Sequence, residues 1–155
     1  YPDIKVLETR TANWSRAESL TLVENWLQSH SGDIQGVIAE NDEMAIGSLE
    51  AVKAYGLDPA NVPVAGVDGV TDALLAVQRG EMMSTLQDAD AQAQGAIDLA
   101  LAAAEGEGYA PKAAVWDVNG GSLAWDNGKG TQYSVPWVPV TADNVEALLS
   151  LRDGK

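Results

Sequence analysis

Cysteine is absent from the 155 residues of this sequence. The chain therefore has neither a thiol nucleophile nor a zinc–thiolate site, and the absence favours an oxidising compartment, where unpaired thiols are avoided. Histidine is almost absent as well, because His30 is the only one. It lies in "SHSG" at a predicted helix end, so no Ser-His-Asp set can be assembled at a strand end.

Basic residues are scarce. Nine Lys and Arg stand against 23 Asp and Glu, which gives a formal net charge of -14. That balance repels phosphate backbones and anionic lipid, so we expect neither nucleic acid nor a membrane surface as a partner. No apolar run approaches the roughly 20 residues that a membrane span needs. The glycine-rich stretches "NGGS" and "DNGKG" lack the P-loop pattern of a lysine followed by Ser or Thr after a buried strand, and no metal-ligand spacing occurs, so no cofactor or metal is expected.

The residues that are present alternate between strand and helix patterns. Hydrophobic residues make up 46% of the chain and charged residues 21%, as in a globular domain or part of one. Apolar runs predict strands at 4–10, 34–40, 62–67, 82–87, 113–118 and 132–140. Helical spacing predicts helices after Ser15, after Asn41 or Asp42, after Thr71 or Asp72, over 90–105 and from about 141 to 149. The helix over 90–105 is expected to pack through Ala93, Ile97 and Leu101.

This alternation with short connections predicts an α/β fold, a parallel sheet with helices on both faces. In such sheets ligands bind at the carboxyl ends of the strands. Four successive strand ends carry a residue able to stack on a polar ligand or to hydrogen-bond to it: Trp14, Asn41, Asp68 and Gln87.

Each of these residues also has a purely structural interpretation. Trp14 precedes the helix cap Ser15, but a hydrophobic staple would need an apolar residue where Ser19 stands, so stacking on a sugar ring and core packing remain about equally favoured. Asn41 taken alone is best explained as a helix cap. Asp68 could be a turn residue, or a carboxylate that accepts two hydroxyl hydrogen bonds. Gln87 could simply mark a helix entry.

Three longer stretches, taken together, carry a resemblance to a known family. They are "VIAENDEMAIGSLEAVKAYG", "VPVAGVDGVTDALLAVQRGEMMSTLQDADAQAQGAIDLAL" and "YSVPWVPVTADNVEALL". In combination they closely resemble the C-terminal half of type I periplasmic sugar-binding proteins, the ribose- and glucose/galactose-binding proteins of ABC importers. The motifs N-D-x-M-A-x-G, V-x-G-x-D-G and T-L-Q-D-A carry this resemblance, which extends over nearly the whole chain.

The resemblance implies roles for particular residues and segments. Asn41 and Asp68 match the family's ligand-binding asparagine and aspartate, Trp14 its aromatic platform, and Gln87 the amide at an interdomain crossover. Residues 1–87 would form βα units of the C-terminal lobe, 88–130 would cross to the N-terminal lobe, and 131–155 would return. The N-terminal lobe and an opening βα unit are not in this sequence. Asp42 is then free to cap the helix, while Glu40 and Glu43 have no assigned role.

The function implied is that of a periplasmic solute receptor, not an enzyme. It would bind a sugar or polyol between two hinged lobes, deliver it to the membrane subunits of an ABC permease, and be a monomer when complete. The alternative is the effector-binding core of a LacI-type transcription regulator, although regulators commonly have a second acid after the aspartate. A third class, a sugar-processing enzyme with Asp68 and Glu40 as a carboxylate pair, lacks a credible acid/base set, since nothing fixes the separation of the two carboxylates. The sequence does not identify the sugar.

Overall fold

The chain folds as helices that alternate with short strands. The computed structural model describes residues 1–118, 125–130 and 133–153. The helices are α1 (Arg16–Ser29), α2 (Asp42–Ala54), α3 (Thr71–Gln78), α4 (Ala89–Glu105), α5 (Val115–Val118) and α6 (Val145–Asp153), with a 3₁₀ turn at Asp126–Gly128. The strands are β1 (Val37–Ile38), β2 (Val64–Val67), β3 (Met83–Gln87) and β4 (Trp137–Pro139).

The strands form one sheet in the order β1-β2-β3-β4. β1 pairs with β2 and β2 with β3, both in parallel, with Val37 opposite Val64 and Ala65 opposite Met83. Just past β4, the amide of Val140 donates to the Ser84 carbonyl at 2.9 Å. A parallel sheet joined through helices confirms the predicted α/β class.

The chain divides into two compact units, Tyr1–Leu86 with Pro139–Lys155, and Gln87–Val138. In the first unit, α1 and α2 enclose a core with β1 and β2, in which Val23, Val52 and Val64 are fully buried. A second cluster joins α3, β3 and α6. The division of the chain between two lobes stays a prediction.

The second unit is built around tryptophan. Val115 and Trp116 of α5 are buried, and Trp116 makes edge-to-face contacts with Trp125 and Tyr133 at centroid distances of 4.9 and 5.3 Å. The strand predicted at 113–118 is therefore wrong, because Val115–Val118 is a short helix. Only Trp137–Pro139 of the strand predicted at 132–140 forms, and residues 131–132 lie outside the described part.

Two further elements differ from the predictions. Residues 4–10 form no strand, and Ile4 and Val6 are 66% and 71% exposed, because no strand among the described residues pairs with them. The predicted strand at 34–40 shortens to Val37–Ile38. The helix α3 begins at Thr71, but its cap position is Val70 and makes no side-chain bond, so neither Thr71 nor Asp72 is the cap. The last helix begins at Val145 rather than near Thr141.

Helix α4 buries a face other than the predicted one. Ala93 and Ile97 are exposed, whereas Gly95 and Asp98 are buried. Asp98 accepts hydrogen bonds from the Tyr109 hydroxyl (2.7 Å), the Lys112 and Ala113 amides, and the Trp116 indole (2.7 Å). Burial alone would raise the pKa of Asp98, but these donors outweigh it and lower the pKa to about 2.

This network predicts an acid-dependent stability. The folded pKa of Asp98 lies below its unfolded value, so its contribution is complete above about pH 4 and is lost as the pH falls towards 2. Thermal unfolding of wild type and Asp98→Asn from pH 6 to 2.5 should show a stability gap that is largest at pH 6 and narrows below pH 4. A gap that stays constant with pH would contradict the prediction.

Candidate functional site

Three of the four predicted site residues, Trp14, Asn41 and Asp68, lie in loops of the first unit. Asp68 directly follows β2, and its amide still donates to the Thr85 carbonyl of β3 at 2.9 Å. Asn41 lies three residues after β1 and opens α2. Trp14 precedes α1, whose first residue Arg16 pairs with Glu43 of α2 at 3.0 Å. The carboxyl ends of parallel strands lie at the same end of the sheet, so the loops of Asn41 and Asp68 are neighbours. The Trp14 loop follows no strand, and the Arg16–Glu43 pair is what joins the start of α1 to the start of α2.

Asn41 is the N-cap of α2. Its Oδ1 accepts from the Met44 amide at 2.9 Å, while no described residue accepts from its Nδ2. The expectation that Asp42 would be the cap is wrong, because Asp42 is the first helical residue and its side chain turns inwards. Asn41 can still present its amide N–H groups to a ligand while it caps the helix.

Asp42 is a supporting residue of this region whose buried position the sequence pattern did not reveal. Its fully buried carboxylate accepts from the Ser84 hydroxyl at 2.8 and 3.0 Å and from the Val70 amide at 3.0 Å. Burial raises the pKa of Asp42 above its ordinary value and nearby Asp68 adds to this, while the Ser84 bond and the amides of Val70 and Gly69 oppose it. The carboxylate thus ties the loop after Asp68 to β3.

Glycine makes room for that carboxylate. A Cβ on Gly66 would lie 2.4 Å from Asp42 Oδ1 and 2.7 Å from the Ala45 Cβ. A side chain at Gly66 would therefore displace either the carboxylate or the start of α2. In the sequence, the glycines of "AGVDG" on both sides of Asp68 were the one signal that another group approaches this turn closely.

The turn at Asp68 has an unusual backbone. Asp68 has φ 118° and Gly69 has φ 65°, so two consecutive residues occupy positive φ. Asp68 is exposed, whereas Gly69 is buried so tightly that a Cβ there would lie 2.8 Å from the Leu86 side chain. A non-glycine residue at such φ costs about 1–3 kcal/mol and is typical of binding sites.

Trp14 is also held at positive φ, 61°, beside Asn13 at 49°. Its side chain is 67% exposed, so core packing does not explain it. The staple is excluded too, because Ser19 is buried and bonds to the Met44 carbonyl at 2.8 Å. Asn13 fixes the loop by donating to Glu18 at 2.7 Å, and Ser15 caps α1 as predicted.

Gln87, the fourth predicted site residue, ends β3 and belongs to the second unit. Its Nε2 donates to the Val135 carbonyl at 2.6 Å, and its Oε1 accepts from Gln92 at 3.3 Å. Both ends of the amide are thus engaged within that unit. A role of Gln87 in ligand binding stays a prediction.

The residues considered for catalysis are placed as follows. His30 is half-buried at the end of α1, where its Nε2 lies 3.2 Å from Glu8. Glu40 is exposed beside Asn41. In the part of the chain that the structure describes, no three His, Asp or Glu side chains cluster as metal ligands, and no helix is long and apolar enough to cross a membrane.

Trp14, Asn41 and Asp68 thus place an aromatic ring, an amide and a carboxylate in loops of the first unit. The family of the chain is shown by comparison, since residues 1–108 match the periplasmic binding protein domain. The chain belongs to this family. Its members are substrate-binding proteins and not enzymes.

Two similar proteins are associated with polyols, one by its name and one by the molecule bound in its crystal structure. Over 108 residues the chain is 42% identical to the xylitol-binding protein of Mycolicibacterium smegmatis, covering 69% of this chain and 30% of that protein. A solute-binding protein of an ABC transporter from Bacillus halodurans, solved with bound myo-inositol, is 32% identical with a TM-score of 0.72. That match covers 94% of this chain and 43% of the other. The chain therefore spans less than half the length of these relatives.

Proposed function

We propose that this chain is part of the substrate-binding component of an ABC importer and that it binds a sugar or polyol. The observation that carries the proposal is the set of exposed Trp14 and Asp68 beside Asn41, in a domain of the periplasmic binding protein family. A periplasmic location and delivery to ABC permease subunits follow from the same proposal.

The three side chains suit a polyhydroxylated ligand. The Asp68 carboxylate can accept two hydroxyl hydrogen bonds, and hydrogen bonds to a carboxylate are stronger than those between neutral groups. The Asn41 Nδ2 can donate to a further hydroxyl oxygen. The exposed indole of Trp14 offers a flat apolar surface for C–H groups of the carbon skeleton. Together these side chains suit both parts of such a molecule: the polar groups bind its hydroxyls, and the indole packs on the carbon ring or chain that carries them.

Binding would favour a closed arrangement of two hinged lobes in the complete protein, as a ligand shifts an equilibrium towards the state it contacts more. Relatives of importer type favour this proposal over a LacI-type regulator. The encoded sequence upstream of Tyr1 separates the two, since a signal peptide supports the importer and a helix-turn-helix supports the regulator.

Calorimetric titration of the full-length protein with xylitol, myo-inositol, D-allose and D-ribose tests the proposal. We expect at least one of these to bind, and Asp68→Ala to weaken that binding at least about 100-fold, because two hydrogen bonds to a charged group are lost.

The matched control is Asp58→Ala. Asp58 is also an exposed carboxylate, but it accepts from the Ala60 amide in the turn before β2, at the opposite edge of the sheet. Its loss should leave affinity unchanged. The proposal fails if no tested sugar or polyol binds, or if both aspartate variants bind as tightly as wild type.

A further inference from the structure

A single arginine joins the starts of three helices in the first unit. Arg16 Nε and Nη2 donate to the two carboxylate oxygens of Glu43 at 3.0 and 3.2 Å. The same Nη2 donates to Asp72 at 2.9 Å. Arg16 is the first residue of α1, and Glu43 and Asp72 are the second residues of α2 and α3. We call these three residues the arginine clamp.

Each member of the clamp follows one of the predicted ligand contacts closely along the chain. Arg16 lies two residues after Trp14, Glu43 two after Asn41, and Asp72 four after Asp68. The clamp therefore connects the three loops that carry the site without using the site residues themselves. Glu43, to which the sequence assigned no role, thus forms an ion pair with Arg16.

Helix stability does not account for an arginine at this position. A positive side chain at a helix N-terminus interacts unfavourably with the helix macrodipole. The negative side chains of Glu43 and Asp72, at the N-termini of α2 and α3, interact favourably with it. The ion pairs are solvated, with side-chain exposures of 34% for Arg16, 43% for Glu43 and 58% for Asp72. Exposed ion pairs contribute little to the free energy of folding, so the contribution of the clamp is to fix the relative positions of the three helix starts.

The planar, forked guanidinium of Arg16 suits the task of holding two carboxylates in fixed positions. Arg16 binds Glu43 with two parallel hydrogen bonds, which fix direction as well as distance, and still reaches Asp72. A lysine ammonium could not hold the two carboxylates in the same planar arrangement. The glycine at position 47 brings the Arg16 backbone against α2, since a Cβ there would lie 2.1 Å from the Arg16 carbonyl oxygen.

We infer that Arg16 is a positioning residue of the ligand site: by holding Glu43 and Asp72, it sets the spacing between the loops of Trp14, Asn41 and Asp68. This role rests on the proposed function. It predicts that Arg16 affects affinity for the ligand more than it affects stability.

The test uses the full-length protein and whichever of xylitol, myo-inositol, D-allose and D-ribose binds wild type best. Arg16→Gln should weaken that binding about tenfold, and Arg16→Lys should recover only part of the loss. The control is Arg79→Gln, which removes a comparable exposed pair with Glu81 at 2.9 Å, at the other end of α3. Both Gln variants should melt within a few degrees of each other.

A double-mutant cycle separates positioning from general structure. If Arg16 acts through the Asp68 loop, Arg16→Gln should cost less affinity in an Asp68→Asn background than in wild type. Equal affinities of Arg16→Gln and Arg79→Gln, or additive losses in the cycle, overturn the positioning role alone. Failure of wild type to bind any of the four compounds overturns the proposed function and this role together.

Discussion

Replacing Asp42 with alanine is expected to lower the free energy of unfolding by about 3 kcal/mol. The substitution leaves the Ser84 hydroxyl and the Val70 amide without their acceptor in the interior. Each orphaned buried donor costs about 1–3 kcal/mol, which outweighs the relief of burying one charge less. Urea unfolding followed by circular dichroism measures the loss. Ligand affinity should fall as well, because the turn after Asp68 loses its anchor.

Two variants make the Asp42 prediction specific. Asp58→Ala, which removes an exposed carboxylate bonded to one backbone amide, should cost less than about 1 kcal/mol. Asp42→Asn keeps one acceptor and should cost less than alanine. The folded pKa of Asp42 is raised, so folding favours the protonated carboxyl, and this contribution is present below the unfolded pKa and is lost as the pH rises through the folded pKa. The gap between wild type and Asp42→Asn should therefore narrow with rising pH, and a widening gap would contradict this account.

Gly47→Ala is expected to destabilise the protein by at least about 2 kcal/mol, although alanine is the better helix former. The new Cβ would lie 2.1 Å from the Arg16 carbonyl oxygen and 3.1 Å from the Leu20 amide nitrogen. Backbone atoms cannot move aside as a flexible side chain can, so α1 would have to shift away from α2. Denaturant unfolding measures this loss.

Gly95→Ala is the matched control, since Gly95 is also a buried glycine inside a helix. Its Cβ would meet the Trp116 side chain at 3.5 Å, which is ordinary contact. This variant should be neutral or gain up to about 1 kcal/mol from helix propensity. Equal effects at Gly47 and Gly95 would show that the close approach of α1 and α2 does not limit stability.

The predictable parts of the fold were those that local chemistry decides. Ser15 and Asn41 cap helices because their side-chain oxygens reach amides three residues ahead, which sequence spacing can show. The prediction of a strand at 4–10 was wrong because a strand forms only when a second strand pairs with it. The apolar pattern of one segment does not show whether such a partner strand is available. In α4 the alanine-rich pattern has no single apolar face, and the polar partners of Asp98 decide which side is buried.

The candidate site residues stay a prediction, and the strand pattern placed only two of them after strands that form. Asn41 and Asp68 follow β1 and β2, whereas the strand predicted before Trp14 is absent from the described residues. The inward turn of Asp42 and the clamp at Arg16 connect residues 27 to 56 positions apart. Such pairings follow from how α1, α2 and α3 pack, and one chain's pattern of polar and apolar residues does not encode that packing.

The left-handed backbone at Trp14 has a consequence for the entropy of binding. A tryptophan on a loose loop would lose backbone and rotamer freedom when it met a ligand, and that ordering would subtract from affinity. In this protein the turn of Asn13 and Trp14, tied to Glu18 and leading into the cap at Ser15, is set when the chain folds. The backbone that carries the indole is therefore arranged before any ligand arrives, and the ligand need not order the loop that meets it.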